Sequence, residues 1–267
     1  MGRKIVKEGC TMKNSRRNRR IIGVTAPLLF LFVVSLTGGL YAASAGEILS
    51  RVDQVMNAPK DRKVTMKMVL VDKNGNEKVR IAESYQKGDD HRLIKFLEPA
   101  DQKGVGFLSL PNDVMYVYFP AFKKVRRIAS HVKNSNFAGT DFTYDDLSTF
   151  KYSEDYNPEL LEETDSFYVL KLVPKPGVKK DYSFLKMWVD KGSFHPTKVE
   201  FYDKSGNLWK VLKMREIEKI KDYFVAREME MKDLKKQHST KMIMEEIELD
   251  TGIPDKIFTK RYLRRTR

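Results

Sequence analysis

The sequence predicts a mainly β protein. It would form one large antiparallel sheet, strongly curved or half-closed, with an N-terminal helix and a short mid-chain segment over its apolar face. Three observations carry this. From about residue 60 onward, apolar residues recur with a period of two in stretch after stretch. Turn signals such as Asn74-Gly75, Gly88-Asp89-Asp90 and Ser205-Gly206-Asn207 separate these stretches. No Pro/Gly/Ser-rich linker divides the body of the chain, so residues 46–267 read as one domain.

The preceding residues are a leader. Lys13 to Arg20 is basic, Ile21 to Leu40 is uncharged and mostly apolar, and Ala43-Ser44-Ala45 is a small-x-small end. These are the three parts of a secretory signal peptide, spanning 1–45, with Gly46 expected to begin the mature chain. The alternative is an inner-membrane anchor through an uncleaved 21–40, since about 20 residues span a bilayer core. The formal net charge of +14 suggests nucleic acid at first sight. Much of it sits in the leader and in a basic tail, Lys256, Lys260, Arg261, Arg264, Arg265 and Arg267, and the body between is close to neutral. Nucleic-acid binding is therefore not expected. The only cysteine, Cys10, lies in the leader, so the mature domain folds without disulfides, as an exported chain in the periplasm can.

In order along the chain, residues 47–57 place Ile48, Leu49, Val52, Val55 and Met56 at helical spacing. Val64, Met66, Met68 and Leu70 then alternate with Thr65, Lys67 and Val69, which is a strand leading into the Asn74-Gly75 hairpin. Val79 and Ile81 continue the return strand, and Arg92 to Leu97 forms a third. Phe107–Leu110 and the β-branched and aromatic run Val114–Phe119 follow. Residues 129–150 are long and poorly periodic, yet carry Phe137, Phe142, Tyr144 and Leu147, the expected apolar underside of a lid. Within them Thr143 to Leu147 predicts one helical turn, with Thr143 as N-cap and Asp146 at the capping-box position. Strands resume at 151–157, 167–173, 183–190, 197–203, 208–216, 222–232 and 240–249, with a further one at 257–262, for roughly ten to twelve in all. The tail from Arg264 is expected to be free, for docking to anionic headgroups or an acidic partner.

No Gly-x-Ser-x-Gly, His-Glu-x-x-His or P-loop occurs, and His91, His131, His195 and His238 are not at metal-ligand spacing. Asp72 to Glu77 resembles a calcium loop only in composition; a hairpin explains it, and Asp203 to Asn207 repeats the same chemistry. The expectation is a protein that is not an enzyme, with no cofactor and no metal. What is abundant is methionine. Met66/Met68, Met229/Met231 and Met242/Met244 are i,i+2 pairs, so each pair shares one strand face. Flexible thioethers repack around irregular apolar ligands. Period-two placement assigns a binding face to Met66, Met68, Leu70, Ile81, Ile94, Phe96, Met115, Val117, Phe119, Met187, Val189, Phe201, Leu212, Met229, Met231 and Met244.

Asn112 to Pro120, Phe137-Ala138-Gly139-Thr140-Asp141-Phe142-Thr143-Tyr144-Asp145-Asp146-Leu147, and Trp188-Val189-Asp190 through Phe194-His195-Pro196 to Phe201-Tyr202-Asp203 resemble the outer-membrane lipoprotein-sorting family, the LolA-like carriers. The likeness covers nearly all of 46–267. It implies an open β-half-barrel covered by helices, with an apolar cavity for acyl chains. It also implies a lid held by an arginine near the second strand; an ungapped match anchored on Pro99 puts Gly88 there, with Arg92 shortly after. The expected function is that of a non-catalytic, monomeric periplasmic carrier. It would bind acyl chains of lipoproteins or lipids and shuttle them from an inner-membrane donor to an outer-membrane acceptor. The alternative is a lipid-sensing or regulatory module on the same fold.

Overall fold

A computed structural model describes residues 43–148 and 151–265. The basic head, the apolar run, Cys10 and Arg267 lie outside the described residues. Thirteen strands run β1 (Asp61–Val71), β2 (Glu77–Lys87), β3 (His91–Glu98), β4 (Gly106–Leu110), β5 (Val114–Phe119), β6 (Lys124–Arg127), β7 (Tyr156–Glu163), β8 (Phe167–Pro174), β9 (Phe184–Asp190), β10 (Pro196–Tyr202), β11 (Leu208–Ile220), β12 (Tyr223–Asp233) and β13 (His238–Leu249). They form one antiparallel sheet in the order β6-β5-β4-β3-β2-β1-β13-β12-β11-β10-β9-β8-β7. Each half of the chain is thus a meander, and β1 pairing with β13 joins the halves. β6 and β7 are its two edges, so the sheet does not close into a barrel.

Both Asx-containing hairpins are built as their sequences require. Gly75 takes φ 82° and Gly206 φ 80°, a region that glycine enters without strain. Asp72 Oδ1 accepts from Asn74 N and Asn76 N, and Asp203 Oδ1 accepts from Ser205 N and Asn207 N.

Helix α1 (Ala45–Met56) buries Ile48, Leu49 and Val52 in the main core. Ser44 caps it in a full capping box: Ser44 Oγ accepts from Glu47 N, and Glu47 Oε2 accepts from Ser44 N at 2.7 Å. The tripeptide Ala43-Ser44-Ala45 therefore contributes the start of the folded helix. The helical turn anticipated at Thr143 is present as α2 (Tyr144–Ser148). Thr143 Oγ1 accepts from Asp146 N, and Asp146 Oδ2 accepts from Thr143 N, both at 2.9 Å.

Three segments differ from the sequence expectation. Residues 152–155 form a short helix, α3 (Tyr152–Asp155), before β7 begins at Tyr156. Its cause is remote: the Asp53 carboxylate in α1 accepts from Tyr152 N and Ser153 N, both at 2.8 Å. Ile81 pairs with Lys67, on the side of β1 opposite Met66 and Met68, so it faces outward. In the unbroken register of β2 against β1, Ala82 opposes Met66 and Ser84 opposes Val64, so these two turn inward instead. The expected strand at 257–262 is a turn and the short helix α4 (Lys260–Leu263). It lies on the outer face of the sheet, where Ile253, Phe258 and Leu263 form a second core with Tyr85, Leu93, Leu108 and Tyr118. Gly106 makes room: a Cβ there would stand 2.7 Å from Leu263 Cδ1. Arg264 N closes the helix on Lys260 O, and the buried Lys95 ammonium donates to the carbonyls of Tyr262 and Arg265. The described part of the tail, Arg264 and Arg265, is therefore anchored rather than free.

Asp61 ties this outer segment to β1. Its carboxylate accepts from Thr251 N (2.8 Å), Thr251 Oγ1 (3.1 Å), Gly252 N (2.8 Å) and Ile253 N (3.1 Å). Burial alone would raise its pKa; the backbone N–H groups outweigh this and hold it below the ordinary carboxylate value. A depressed folded-state pKa adds stability that is fully present above the unfolded value, about 4, and is lost as pH falls through the folded value. Asp61→Asn is expected to cost about 2–3 kcal/mol at neutral pH, because an amide N–H₂ then faces backbone donors. Thermal melts from pH 7 to 2.5 should show a flatter acid limb for the variant than for the wild type.

Candidate functional site

The inner face of the sheet carries methionines in cross-strand register. Met68 of β1 opposes Met242 of β13, Met242 opposes Met229 of β12, and Met229 opposes Met214 of β11. These four side chains form a continuous row, roughly 14 Å long at ordinary strand spacing. Met66 opposite Met244, and Leu212 opposite Met231, flank the row. Together they floor a cavity of about 180 Å³.

Of the residues placed on this face from sequence, Met66, Met68, Ile94, Phe201, Leu212, Met229, Met231 and Met244 line the cavity. Leu70, Phe96, Met115, Val117, Met187 and Val189 are buried in the same core, outside the cavity wall. Phe119 is half-buried near the free edge and stacks edge-on with Phe122. Ile81 is on the other face, as described. Not anticipated were Val64, Met214 and Met242. For Met242 the signal was present, since it shares the strand face of Met244.

Residues 129–148 cover the cavity. Phe137, Phe142 and Leu147 line it from above, while Tyr144 packs against Phe107 and Phe137 at ring distances of 5.7 Å. Phe137 is also 5.3 Å from the Phe96 ring and 5.9 Å from the Phe107 ring. The underside thus combines Phe137, Phe142 and Leu147 with the polar Thr140, Asp145 and Asp146, and the rim is held by polar contacts to both halves of the sheet. On one side, Arg80 Nη1 of β2 donates to Ala138 O and Arg92 Nη1 of β3 to Leu147 O, each at 2.6 Å. On the other, Asp141 Oδ2 accepts from Thr240 Oγ1 at 2.7 Å and lies 2.6 Å from His238 Nδ1, both on β13. Lys210 of β11, fully buried, donates to Asp141 O at 2.8 Å and stands 3.6 Å from Asp146. Arg80 and Arg92 thus both bond the covering segment, from neighbouring strands.

One end of the cavity is polar. Arg62, Gln86, Arg92 and His195 line it together with Asn57 and Tyr152. His195 is buried in the β9–β10 turn with Nδ1 2.8 Å from Pro196 O, and burial pushes its pKa down. This end was not anticipated, although Arg62 has the same strand parity as Val64 and Met66.

The size of the cavity bears on what it can hold. A dry protein cavity of about 150 Å³ takes one benzene. The present volume is therefore short of a long acyl chain, and the covering segment must lift or the methionines repack before one enters.

The inner face thus carries a methionine-floored cavity on a half-open sheet, under a segment bonded by two arginines. The sequence matches a family described as "-like: Uncharacterized protein" over residues 88–265. A domain from Vibrio parahaemolyticus, described as an outer membrane lipoprotein-sorting protein, is 29% identical, with a TM-score of 0.73 over 81% of this chain and 97% of its own. The chain belongs to the LolA-like family. A LolA superfamily protein from Nitrosomonas europaea is 25% identical, with a TM-score of 0.69 over 83% of this chain and 100% of its own. A DUF1329 family protein from Desulfovibrio piger is 27% identical, with a TM-score of 0.77 over 82% of this chain and 97% of its own. No curated protein matches the sequence.

Proposed function

We propose that this protein is a non-catalytic periplasmic carrier. It holds the acyl chains of a lipoprotein or lipid on its methionine floor and passes them from an inner-membrane donor to an outer-membrane acceptor. The observation that carries this is the cross-strand row Met68–Met242–Met229–Met214 beneath a covering segment that turns Phe137, Phe142 and Leu147 toward the cavity.

The physical chemistry supports reversible holding. Each methylene buried contributes about 0.8 kcal/mol, so even part of one chain binds firmly. Release then needs the cover to lift. Its rim contacts are hydrogen bonds and ion pairs, so a partner competing for them would open it. Unbranched methionine side chains adjust to a chain of any shape at low cost.

Native mass spectrometry of the protein purified from its own periplasm tests this. The carrier reading requires a co-purifying adduct with the mass of a lipid or acylated peptide, lost on denaturation. Recovery of the bare chain alone, together with no uptake of added acyl probes, would refute it.

A further inference from the structure

The turns of a meander alternate between the two rims of its sheet. Those joining β1 to β2, β3 to β4, β5 to β6, β8 to β9, β10 to β11 and β12 to β13 share one rim. The register fixes this at the junction of the halves, where Val71 opposes both Glu77 and Ser239, and Asp233 opposes both His238 and Lys210. These six turns hold nine lysines and four aspartates. The five turns of the opposite rim hold two lysines and five aspartates. The near-neutral body is therefore polarised, with one basic rim and one acidic rim.

The basic rim also exposes apolar side chains. Phe122, between β5 and β6, is 61% exposed; Leu234, between β12 and β13, is 45% exposed; Leu208, which opens β11, is 36% exposed. Among the described residues, no turn of the acidic rim exposes a large apolar side chain to this degree. Leu234 N donates to Trp209 O at 2.8 Å, which sets Leu234 beside the end of β11 that carries Leu208. Lys235 and Lys236 follow Leu234, and Lys204 stands in the turn before Leu208. The aspartates here fold back into their own turns. Asp72 and Asp203 do so as described, and Asp233, 1% exposed, accepts from Lys235 N and Lys236 N at 3.0 Å through Oδ1. Lysines and apolar tips are thus what this rim turns outward.

Exposed apolar tips among lysines suit the interface of an anionic bilayer, where the apolar groups enter the headgroup layer and the ammonium groups meet phosphates. A second copy offering its acidic rim would match the charge but bring no exposed apolar turn to meet Phe122, Leu208 and Leu234. The same rim also holds one end of the cover, since Asp141 meets His238, the first residue of β13, and Lys210, which pairs with Asp233.

We propose that the basic rim docks this protein on an anionic membrane surface, with Leu208, Leu234 and Phe122 in the headgroup layer. Docking presents the Asp141 end of the cover to the lipid. This deepens the carrier reading, because it assigns the face through which cargo is exchanged.

An environment-sensitive dye on a single cysteine reads docking locally. Leu234→Cys and Leu161→Cys are each made in the full chain together with Cys10→Ser, so that each protein carries one label. Leu161 is the control, being 46% exposed in β7 near the opposite rim. On addition of vesicles of phosphatidylglycerol and phosphatidylcholine in equal parts, the dye at 234 should shift to shorter wavelength and become shielded from aqueous iodide. The dye at 161 should do neither. Phosphatidylcholine alone should give no shift, and added salt should reverse the shift seen with the anionic vesicles. Adding Lys235→Gln and Lys236→Gln should weaken docking about thirtyfold, since each basic residue near an anionic surface is worth about a factor of five. Both lysine side chains are more than half exposed, so the fold should be kept. An equal response at 234 and 161, a response that does not need phosphatidylglycerol, or no response to any vesicle would overturn the proposal. The dye reports docking whether or not the cavity is filled, so any of these results leaves the carrier reading standing.

Discussion

Replacing Phe137 by alanine is expected to cost about 3–5 kcal/mol, the range for removing a fully buried aromatic ring. Phe137 is 1% exposed and touches three other rings, Phe96, Phe107 and Tyr144, so no neighbour can collapse into its place without losing contacts of its own. The loss falls first on the covering segment, because Phe137 is its main apolar contact with β3 and β4. At ~2–4 °C per kcal/mol for a domain of this size, the melting temperature should fall by on the order of 10 °C. Hydrogen exchange should show amides 137–147 losing protection while those of β1 and β13 keep theirs. An unchanged melting temperature would mean that the segment does not depend on its apolar underside.

Lys210→Met should be nearly as severe, at about 3 kcal/mol, for a different reason. The methionine has a similar volume, so packing is conserved and the effect is electrostatic. Lys210 is 0% exposed; it donates to Asp141 O at 2.8 Å and faces Asp146 at 3.6 Å. Without the ammonium, a buried carboxylate and a buried carbonyl each lose their cationic neighbour, and removing one member of a buried pair is strongly destabilising. Asp146 retains Thr143 N and the Tyr182 hydroxyl as donors, which places the cost at the lower end. Chemical denaturation of the two proteins measures the difference, and the slope with denaturant should not change. The double variant Lys210→Met/Asp146→Asn should recover part of the loss, because the unpaired charge is gone. No recovery would assign the effect to Asp141 alone.

The legible part of the fold was what neighbouring residues decide. Asn74-Gly75 and Ser205-Gly206-Asn207 announce hairpins because their backbone requirements are local, and Thr143 with Asp146 announces a capping box for the same reason. The paired methionines announce a shared face because a strand repeats every two residues. Remote causes were not legible. The pairing of β1 with β13 joins residues nearly the whole domain apart, and it is what turns three methionine pairs into one row. Asp53 converts 152–155 from the expected strand into a helix across a long separation in sequence. Ile81, by contrast, has a local cause: the hairpin register sets it opposite Lys67 and Ala82 opposite Met66. Ile253, Phe258 and Leu263 have neither helical nor strand spacing, so their burial on the outer face depends on Gly106 and on Asp61 holding the chain above it. The polar end of the cavity escaped because binding was sought among apolar residues, although Arg62 occupies an inward-facing strand position.

Locking the cover tests the central claim most directly. The side chains of Asp141 and Thr240 meet at 2.7 Å, and residues 43–267 contain no cysteine, so in that stretch Asp141→Cys/Thr240→Cys places a single pair in reach of a disulfide. Uptake of a fluorescent acyl probe is then followed in the oxidised protein and again after reduction. If the segment must lift to admit a chain onto the methionine row, the oxidised protein takes up the probe at a small fraction of the rate of the reduced one, and reduction restores uptake. Equal uptake in both states, with the disulfide confirmed by mass, would contradict the account.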